Sequence, residues 1–359
     1  MLEFQMVKPE LAVGRHEVYD AALEGTKPMT TATKPARRLG QSGPEVFPLA
    51  LGCMGMSGIY GATDDAESIA TIHAAIDAGM NLIDTGDFYG MGHNEMLIAR
   101  ALRIGRSEVL LSVKFGAQRS PSGAWIGFDG RPAAVKTALA YSLTRLGVDY
   151  IDIYRPARLD PNVPIEDTIG AIADMVKQGY VRHIGLSEVG AETIRRAAAV
   201  HPIVDLQIEY ALISRTPESK IFPVLEELGI AATTYGTLSR GLLSGSALAG
   251  KGDFRAHLPR FKGANFAQNQ KLTTRLAEIA ADRKITPVQL AIAWALAKQS
   301  WIVPVIGART RAQVAESLGA LNVRLTPQEI TEIEAAVPAE AVAGTRYDPA
   351  QMRNLDSEK

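Results

Sequence analysis

The segments VLLSVK (109–114), PAAVKTALAYSLTRLG (132–147) and IDIY (151–154) show the repeating pattern of this chain most clearly. The first and last segments are short apolar runs typical of buried strands, whereas the middle segment has the length and apolar spacing of a helix. Pro132 stands where helices begin and Gly147 where they end. This stretch therefore predicts a strand, a crossover helix and a second, parallel strand.

The same alternation continues along most of the chain. Apolar runs predict strands at 49–53, 81–84, 109–114, 151–154, 181–186, 204–209, 231–235 and 302–306. Amphipathic runs predict helices at 65–78, 94–104, 132–146, 165–178, 191–200, 223–228, 287–298 and 311–321. Strict alternation with right-handed crossovers predicts an α/β fold, a single-domain (β/α)8 TIM barrel. An open doubly wound sheet is the alternative, but the chain lacks the G-x-G-x-x-G turn that usually marks it.

Segments outside this rhythm set the expected domain organisation. Residues 1–35 mix charges with prolines and show no periodicity, so we expect a loosely ordered N-terminal extension. The barrel is expected over 36–345, followed by a C-terminal tail at 346–359. The stretch 244–270 contains several glycines and a proline, and we expect a long loop there that folds over the site as a lid.

Composition excludes several classes of protein. Among 359 residues, 38 Lys and Arg balance 39 Asp and Glu, whereas a general nucleic-acid binder or an anionic-membrane binder needs a basic excess. The single cysteine, Cys53, cannot form an internal disulfide or a cysteine-rich metal site. The apolar runs are shorter than the roughly 18 residues of a membrane helix, and Glu3 and Lys8 interrupt any signal peptide. We expect a cytoplasmic protein that uses no metal and acts on small molecules.

Three ionisable residues follow the predicted strands where a barrel places its chemistry. Asp84 and Lys114 end neighbouring strands, and Tyr89 lies in the loop after Asp84. A buried Asp and a buried Lys are costly unless they pair. The paired ammonium would lower the pKa of a nearby phenol, which would let Tyr89 exchange protons near neutral pH. The alternative is a structural ion pair beside a tyrosine that only packs.

Several motifs resemble the aldo-keto reductase family over about residues 36 to 335. They are Leu51-Gly-Cys-Met-Gly-Met56, Ile83-Asp-Thr-Gly-Asp-Phe-Tyr-Gly90 with Asn94-Glu95, Ile184-Gly-Leu-Ser-Glu188, Gln207-Ile-Glu-Tyr210, Tyr235-Gly-Thr-Leu-Ser-Arg-Gly-Leu-Leu243 and Ile306-Gly-Ala-Arg-Thr310. The resemblance implies a (β/α)8 barrel that binds a nicotinamide dinucleotide without the glycine-rich turn.

The resemblance also implies a role for each matching residue. It makes Tyr89 the general acid, Lys114 the residue that tunes it, and Asp84 the partner of that lysine. Ser187 and Gln207 would bind the nicotinamide carboxamide. The other residues expected to contact the cofactor are Met54 and Asp84, Tyr235 stacked on the nicotinamide, the pyrophosphate loop Gly236, Thr237, Leu238, Ser239 and Arg240, and the adenosine-end residues Gly307, Arg309, Thr310, Gln313, Glu316 and Ser317.

Arg309 and a set of apolar residues bear on specificity. A guanidinium just before a helix can bind a phosphate through paired hydrogen bonds, which favours NADP(H) over NAD(H). A solvent-facing arginine beside a helix start is the alternative. The substrate pocket is expected to be lined by Met56, Tyr60, Phe88, Phe115, Trp125 and Ala157.

One departure from the family pattern concerns the loop after the fourth strand. Ala157 stands where the family usually has a histidine, and alanine has no side-chain donor. We expect NADPH-dependent, reversible reduction of an aldehyde or ketone, with Tyr89 assisted by Arg155, Arg158 or water. Two alternatives are a non-catalytic NADPH-binding regulatory module and a lyase or aldolase that uses Lys114 as a Schiff-base nucleophile.

Overall fold

A computed structural model describes residues 36–104, 108–245 and 253–359. Eight parallel strands form a closed barrel in which each strand pairs with the next along the chain and the last pairs with the first. These strands are β3 (Ala50–Gly52), β4 (Leu82–Gly86), β5 (Leu110–Phe115), β8 (Ile151–Pro156), β9 (Val181–Ser187), β10 (Ile203–Glu209), β11 (Ala231–Tyr235) and β12 (Ile302–Gly307). The predicted (β/α)8 barrel is confirmed, and the predicted strand ends differ from these by at most two residues. The expectation for 1–35 lies outside the described residues.

The helices of the described residues cover the outside of this barrel or follow its strands. They are α1 (Asp65–Asp77), α2 (His93–Ala101), α3 (Pro132–Leu146), α4 (Ile165–Lys177), α5 (Ala191–Val200), α6 (Pro217–Lys220), α7 (Phe222–Leu228), α8 (Gly263–Asp282), α9 (Pro287–Lys298), α10 (Arg311–Leu318), α11 (Pro327–Ala336) and α12 (Pro349–Arg353). Apolar side chains buried between helices and strands, such as Leu111, Val113 and Trp294, form the main core. None of these helices is long and apolar enough to cross a membrane.

The expected long loop at 244–270 is wrong over its last eight residues, 263–270. A helix of 20 residues, α8, begins at Gly263 and continues to Asp282. Its sequence is mostly polar, and its buried side chains, among them Leu272 and Leu276, are widely spaced. The glycine and the amide side chains at the start of α8 therefore made this segment resemble a loop, and its helical period could not be recognised. Residues 246–252 lie outside the described part of the chain.

Two antiparallel hairpins flank the barrel and were not predicted. Strands β1 (Arg37–Arg38) and β2 (Glu45–Val46) precede it, and Leu39 and Val46 pack with the inward-facing side chains of the barrel strands. Strands β6 (Ala117–Arg119) and β7 (Trp125–Phe128) follow β5. Strands of two to four residues are too short to show a period, so they could not be recognised from the sequence.

A buried ion pair crosses the interior of the barrel. Arg155 of β8 and Asp205 of β10 have no exposed surface, and their side chains lie 2.8 Å apart. Arg155 also donates hydrogen bonds to Ser112 Oγ at 3.0 Å and to Thr233 Oγ1 at 3.3 Å. Gly185 of β9 makes room for the pair, since a Cβ there would lie 2.6 Å from Asp205 Oδ1.

Substitution of this glycine tests the buried pair. In Gly185→Ala the new methyl group would force Arg155 and Asp205 apart, and separating a buried ion pair costs about 3 kcal/mol or more. Gly170→Ala in α4 is the matched control, because a Cβ there meets nothing within 4 Å and alanine favours a helix by up to about 1 kcal/mol. Urea unfolding should place the midpoint of Gly185→Ala well below, and that of Gly170→Ala at or above, the wild-type midpoint. Equal midpoints for the two variants would contradict this packing.

Candidate active site

A cavity of about 820 Å³ opens at the carboxyl ends of the barrel strands. It extends from Asp84, Tyr89 and Lys114 past Tyr235 to the start of α10. All the residues predicted for the site line this cavity except four, which are Met56, Phe115, Ser239 and Thr310. Each of the motifs between residues 54 and 317 thus contributes residues to the lining of this one cavity.

Two of the predicted pocket residues belong to the core instead. Met56 and Phe115 are fully buried, and Phe115 stacks on Tyr154 with ring centroids 4.4 Å apart. Successive side chains of a strand point to opposite faces, so Phe115 points away from the side to which Lys114 points. The prediction that Met56 and Phe115 line the pocket is wrong.

Two of the predicted cofactor contacts also lie outside the cavity lining. Thr310 caps α10, where its hydroxyl accepts a hydrogen bond from the backbone N–H of Gln313 at 3.3 Å. Ser239 is buried in the loop after β11. Thr310 therefore has a structural explanation in the helix start that it caps.

Register explains why Asp84 meets Lys114. Asp84 of β4 pairs with Ser112 of β5, and Lys114 lies two residues further along β5 on the same side of that strand. Lys114 Nζ lies 2.5 Å from Asp84 Oδ1, and both side chains are about 95% buried. Asp84 Oδ2 accepts hydrogen bonds from Ser112 Oγ and from Gln207 Nε2, each at 2.8 Å. The buried carboxylate thus has a charged partner and two further donors.

Tyr89 lies beside this pair on a strained loop. Lys114 Nζ is 5.1 Å from the centre of the Tyr89 ring. Gly90, Met91 and Gly92 all have left-handed backbone angles, with φ of 57°, 54° and 94°. For Met91 this conformation is costly, and such strain is concentrated at functional sites.

The charge state of Tyr89 differs from the sequence-based expectation. Burial and then Asp84 raise the pKa of Tyr89 well above its ordinary value, and Arg158 is the strongest cation that opposes the rise. The expected lowering of the Tyr89 pKa is therefore wrong, because burial and the negative charge of Asp84 raise it. Burial lowers the pKa of Lys114 itself, and Asp84 opposes this. Tyr89 is a neutral phenol near pH 7, which is the form that donates a proton.

A second cluster fixes Tyr235 on the other side of the cavity. The Tyr235 hydroxyl donates to Glu188 Oε1 at 2.7 Å and lies 3.0 Å from the hydroxyl of Tyr347. Arg346 donates to both oxygens of Glu188, at 3.0 and 2.9 Å. The segment 346–359, which we expected only as a tail, therefore packs against the site and contributes to its wall. Sequence reasoning missed Tyr347, since nothing in a terminal segment indicates which strand ends it will reach.

The far end of the cavity contains two arginines in different situations. Arg311, at the first position of α10, pairs with Glu67 at 2.9 Å on the surface. Arg309 lines the cavity, and its side chain donates to the carbonyl oxygen of Tyr60 at 3.4 Å. Within the described residues no carboxylate oxygen lies within 4 Å of the Arg309 guanidinium. Arg311 is thus the solvent-facing arginine at this helix start, whereas Arg309 lines the cavity.

The loop after β11 carries polar groups with unused hydrogen-bonding capacity. Within the described residues the buried hydroxyls of Thr237 and Ser239 have no hydrogen-bond partner. Buried hydroxyls without partners are uncommon in proteins and point to a missing polar ligand. Of the two, Thr237 lines the cavity, and together with Arg309 and the N-terminus of α10 it fits the phosphate groups of a dinucleotide.

The two arginines proposed to replace the family histidine are not equivalent. Ala157 lines the cavity, and Arg158 lines it beside Ala157. Arg155 is fully buried below the cavity floor and is bound to Asp205. Of the two, only Arg158 can contact a molecule in the cavity.

His93, the histidine nearest in sequence to Tyr89, lies outside the cavity lining. It lies at the start of α2, 3.0 Å from Ser57 Oγ and 3.3 Å from Asp65. In the described part of the chain, no cluster of three or more His, Cys, Asp or Glu side chains could hold a metal ion.

Comparison with known proteins identifies the family. The model of the Aldo/keto reductase family matches residues 48–338. The chain belongs to this family. It is 38% identical over 325 residues to the "Probable aldo-keto reductase 1" of Glycine max, a match that covers 89% of this chain and 93% of that protein. The family members are oxidoreductases that act on carbonyl compounds with a nicotinamide cofactor, and this aldo-keto reductase is an enzyme of that class.

Solved structures of two bacterial family members have a similar fold. A glycerol dehydrogenase from Gluconobacter oxydans superimposes with a TM-score of 0.76 at 28% identity, covering 86% of this chain and 97% of that one. The holo form of an aldo-keto reductase from Bacillus halodurans gives a TM-score of 0.72 at 28% identity, covering 85% of this chain and 96% of that one.

Asp87, on the loop of Tyr89, provides a test of the local electrostatics. Burial, followed by the charge of Glu95, raises the pKa of Asp87 to about 7. The Asp87 Oδ1 atom is buried without a partner among the described residues, and Glu95, which is fully buried, pairs with Arg145. Because the pKa is raised in the folded protein, the stability that goes with the protonated form is lost as the pH rises from about 4 through 7.

Asp87→Asn should remove this dependence. The free energy of unfolding of Asp87→Asn, relative to wild type, is expected to increase from pH 5 to pH 8, because asparagine cannot ionise. Urea denaturation at each pH measures the difference. Asp77→Asn, at an exposed position at the end of α1, is the control for the loss of one carboxylate at the surface. A flat difference for Asp87→Asn would show that Asp87 does not titrate in this range.

Proposed function

We propose that this aldo-keto reductase catalyses the NADPH-dependent, reversible reduction of an aldehyde or ketone to an alcohol. The observation that carries the proposal is the placement of Tyr89 over the buried pair of Asp84 and Lys114, in the cavity that also contains Tyr235 and Arg309. A proton donor and the expected cofactor contacts thus face one space.

Three side chains of this protein would hold the nicotinamide end of the cofactor. Tyr235 would pack on the nicotinamide ring, and its hydrogen bond to Glu188 keeps it in place. Ser187 and Gln207 would bind the carboxamide. When bound, the reduced nicotinamide supplies a hydride to the carbonyl carbon.

The proton would come from Tyr89. Its raised pKa keeps the phenol protonated, and a developing alkoxide is basic enough to take the proton. Lys114 faces the ring and would stabilise the phenolate that forms, while Asp84 keeps the lysine charged and in place. The same pairing disfavours the Schiff-base alternative, since a lysine held as an ammonium ion by a carboxylate is not a nucleophile.

Tyr89→Phe tests the role of the phenol. The variant is expected to lose NADPH-dependent carbonyl reduction by about 10²-fold or more in kcat, the scale of losing a general acid. NADPH binding, measured by quenching of protein fluorescence, should change less than about threefold, because the phenol is expected to contact substrate rather than cofactor.

Retained reduction in Tyr89→Phe would remove Tyr89 from its proposed role. NADPH binding by the wild-type protein without turnover on any aldehyde, ketone or quinone would instead favour the regulatory-module alternative, which rests on Ala157.

Arg309→Ala tests the choice of NADPH over NADH. Loss of an arginine that pairs with the 2′-phosphate should weaken NADPH binding by about 10- to 100-fold, whereas NADH binding should change less than about threefold. Arg311→Ala is the matched control, since it removes an arginine two positions away that is already paired with Glu67. Dissociation constants for both cofactors check the prediction. Equal losses for NADPH and NADH in Arg309→Ala would contradict the assignment.

A further inference from the structure

Arg158 is a cavity arginine without a carboxylate partner. It follows β8, is half-buried, and donates to the carbonyl oxygen of Ala157 at 2.6 Å and to Ser187 Oγ at 3.4 Å. Among residues 36–104, 108–245 and 253–359, no carboxylate oxygen lies within 4 Å of its guanidinium. Glu188 acts on Arg158 only from beyond this distance, and it is itself paired with Arg346. A partly desolvated cation with no carboxylate in contact favours the binding of an anion.

Two other arginines of the cavity are already engaged. Arg240 pairs with Glu209 at 2.8 Å, and Arg255 pairs with Asp253 at 2.7 Å. All four side chains are at least nine-tenths buried, so these charges are neutralised within the protein. Neither arginine therefore offers an uncompensated charge to a ligand.

Of the remaining two arginines, Arg119 is exposed and Arg309 lies at the far end of the cavity. Arg309 lies next to α10, at the end assigned above to the adenosine part of the cofactor. The Arg119 guanidinium lies 5.5 Å from the centre of the Trp125 ring and donates to the carbonyl oxygen of Gly123 at 2.9 Å, in the β6–β7 hairpin. This leaves Arg158 as the arginine that acts at the catalytic end.

The acids of the cavity do not offset this charge. Among the described residues, the carboxylates that line it are Asp84 and Glu316. Asp84 is neutralised by Lys114, and Glu316 belongs to α10 at the other end. The end of the cavity near Tyr89 therefore carries a net positive charge.

Arg158 also lies at the end of the cavity that contains the phenol. The backbone N–H of Ala157 donates to the carbonyl oxygen of Phe115 at 2.8 Å, so the chain after β8 runs beside the residue that follows Lys114. Tyr89, Lys114 and Arg158 line the same cavity, and Arg158 is the strongest cation that opposes the rise in the pKa of Tyr89. An anionic group bound by Arg158 would then lie close to the carbonyl that meets Tyr89.

We propose that Arg158 binds the carboxylate of a 2-oxo acid whose neighbouring carbonyl oxygen accepts the proton of Tyr89. The substrate class is thus 2-oxo acids, and in the reverse direction 2-hydroxy acids. The inference rests on the proposed function. Carbon 2 gains a hydride from the reduced nicotinamide, and its oxygen gains the proton of Tyr89. The products are the 2-hydroxy acid and the oxidised cofactor, and solvent returns a proton to Tyr89.

Benzoylformate and its methyl ester test this assignment, since they share the reacting carbonyl and differ in charge. The wild-type kcat/KM for benzoylformate should exceed that for the ester by about tenfold or more, the value of one charge-assisted hydrogen-bonded contact. Arg158→Met should abolish the preference, because kcat/KM for benzoylformate should fall by about tenfold or more relative to kcat/KM for the ester. Arg158→Lys should restore part of the preference.

Arg119→Met is the matched control, because it removes an exposed positive charge from the lining of the same cavity. Its preference for benzoylformate should stay within about threefold of wild type. A wild-type enzyme that favours the ester or does not distinguish the two substrates would overturn the proposal. An Arg158→Met variant that keeps the preference for benzoylformate would also overturn it. An Arg158→Met variant that loses activity on both substrates equally would overturn it as well, since Arg158 would then act on the carbonyl group that both substrates share.

A binding measurement separates failure of this inference from failure of the proposed function. Titration calorimetry with oxamate, an unreactive analogue of a 2-oxo acid, should show binding to the wild-type protein that weakens about tenfold or more in Arg158→Met. If no carbonyl compound is reduced, Arg158-dependent oxamate binding would still support the carboxylate site. Reduction of neutral ketones without oxamate binding would overturn the 2-oxo acid assignment alone.

Discussion

The buried carboxylate of Asp84 is the group on which the site depends. It accepts hydrogen bonds from Lys114, Ser112 and Gln207, side chains that come from two different strands of the barrel. A carboxylate in this position would be strongly unfavourable without such partners. The charge of Asp84 acts in the same direction on both neighbours, since it opposes the lowering of the Lys114 pKa by burial and adds to the rise of the Tyr89 pKa.

A second pair supports the first from inside the barrel. Arg155 is bound to Asp205 and donates to Ser112, which in turn donates to Asp84. The polar groups at the catalytic end are thus connected to the barrel interior by side-chain hydrogen bonds, and networks of this kind hold side chains in one arrangement. Arg155 is thus engaged inside the barrel, whereas Arg158 is the arginine after β8 that lines the cavity.

The sequence predicted the barrel and most of the cavity lining, because strands with a buried apolar run and helices with a clear period are local signals. Met56 was misplaced because the short helical turn after β3 shows no period that would indicate its buried side. Phe115 was misplaced although strand alternation already puts it on the side opposite Lys114. Tyr347 and the β6–β7 hairpin were missed, because their positions depend on contacts between distant parts of the chain. The charge state of Tyr89 could not be predicted either, since it follows from the balance between burial, Asp84 and Arg158 in three dimensions.

The central claim is that Asp84 and burial keep the phenol of Tyr89 protonated beside a charged lysine. The most direct test is carbon-13 NMR of protein labelled at tyrosine Cζ, with the Tyr89 resonance assigned by its absence in a variant that lacks this tyrosine. The account predicts that the Tyr89 resonance keeps the chemical shift of a neutral phenol from pH 6 to about pH 10, the ordinary pKa of tyrosine. A shift to the phenolate position at or below about pH 8 would contradict it.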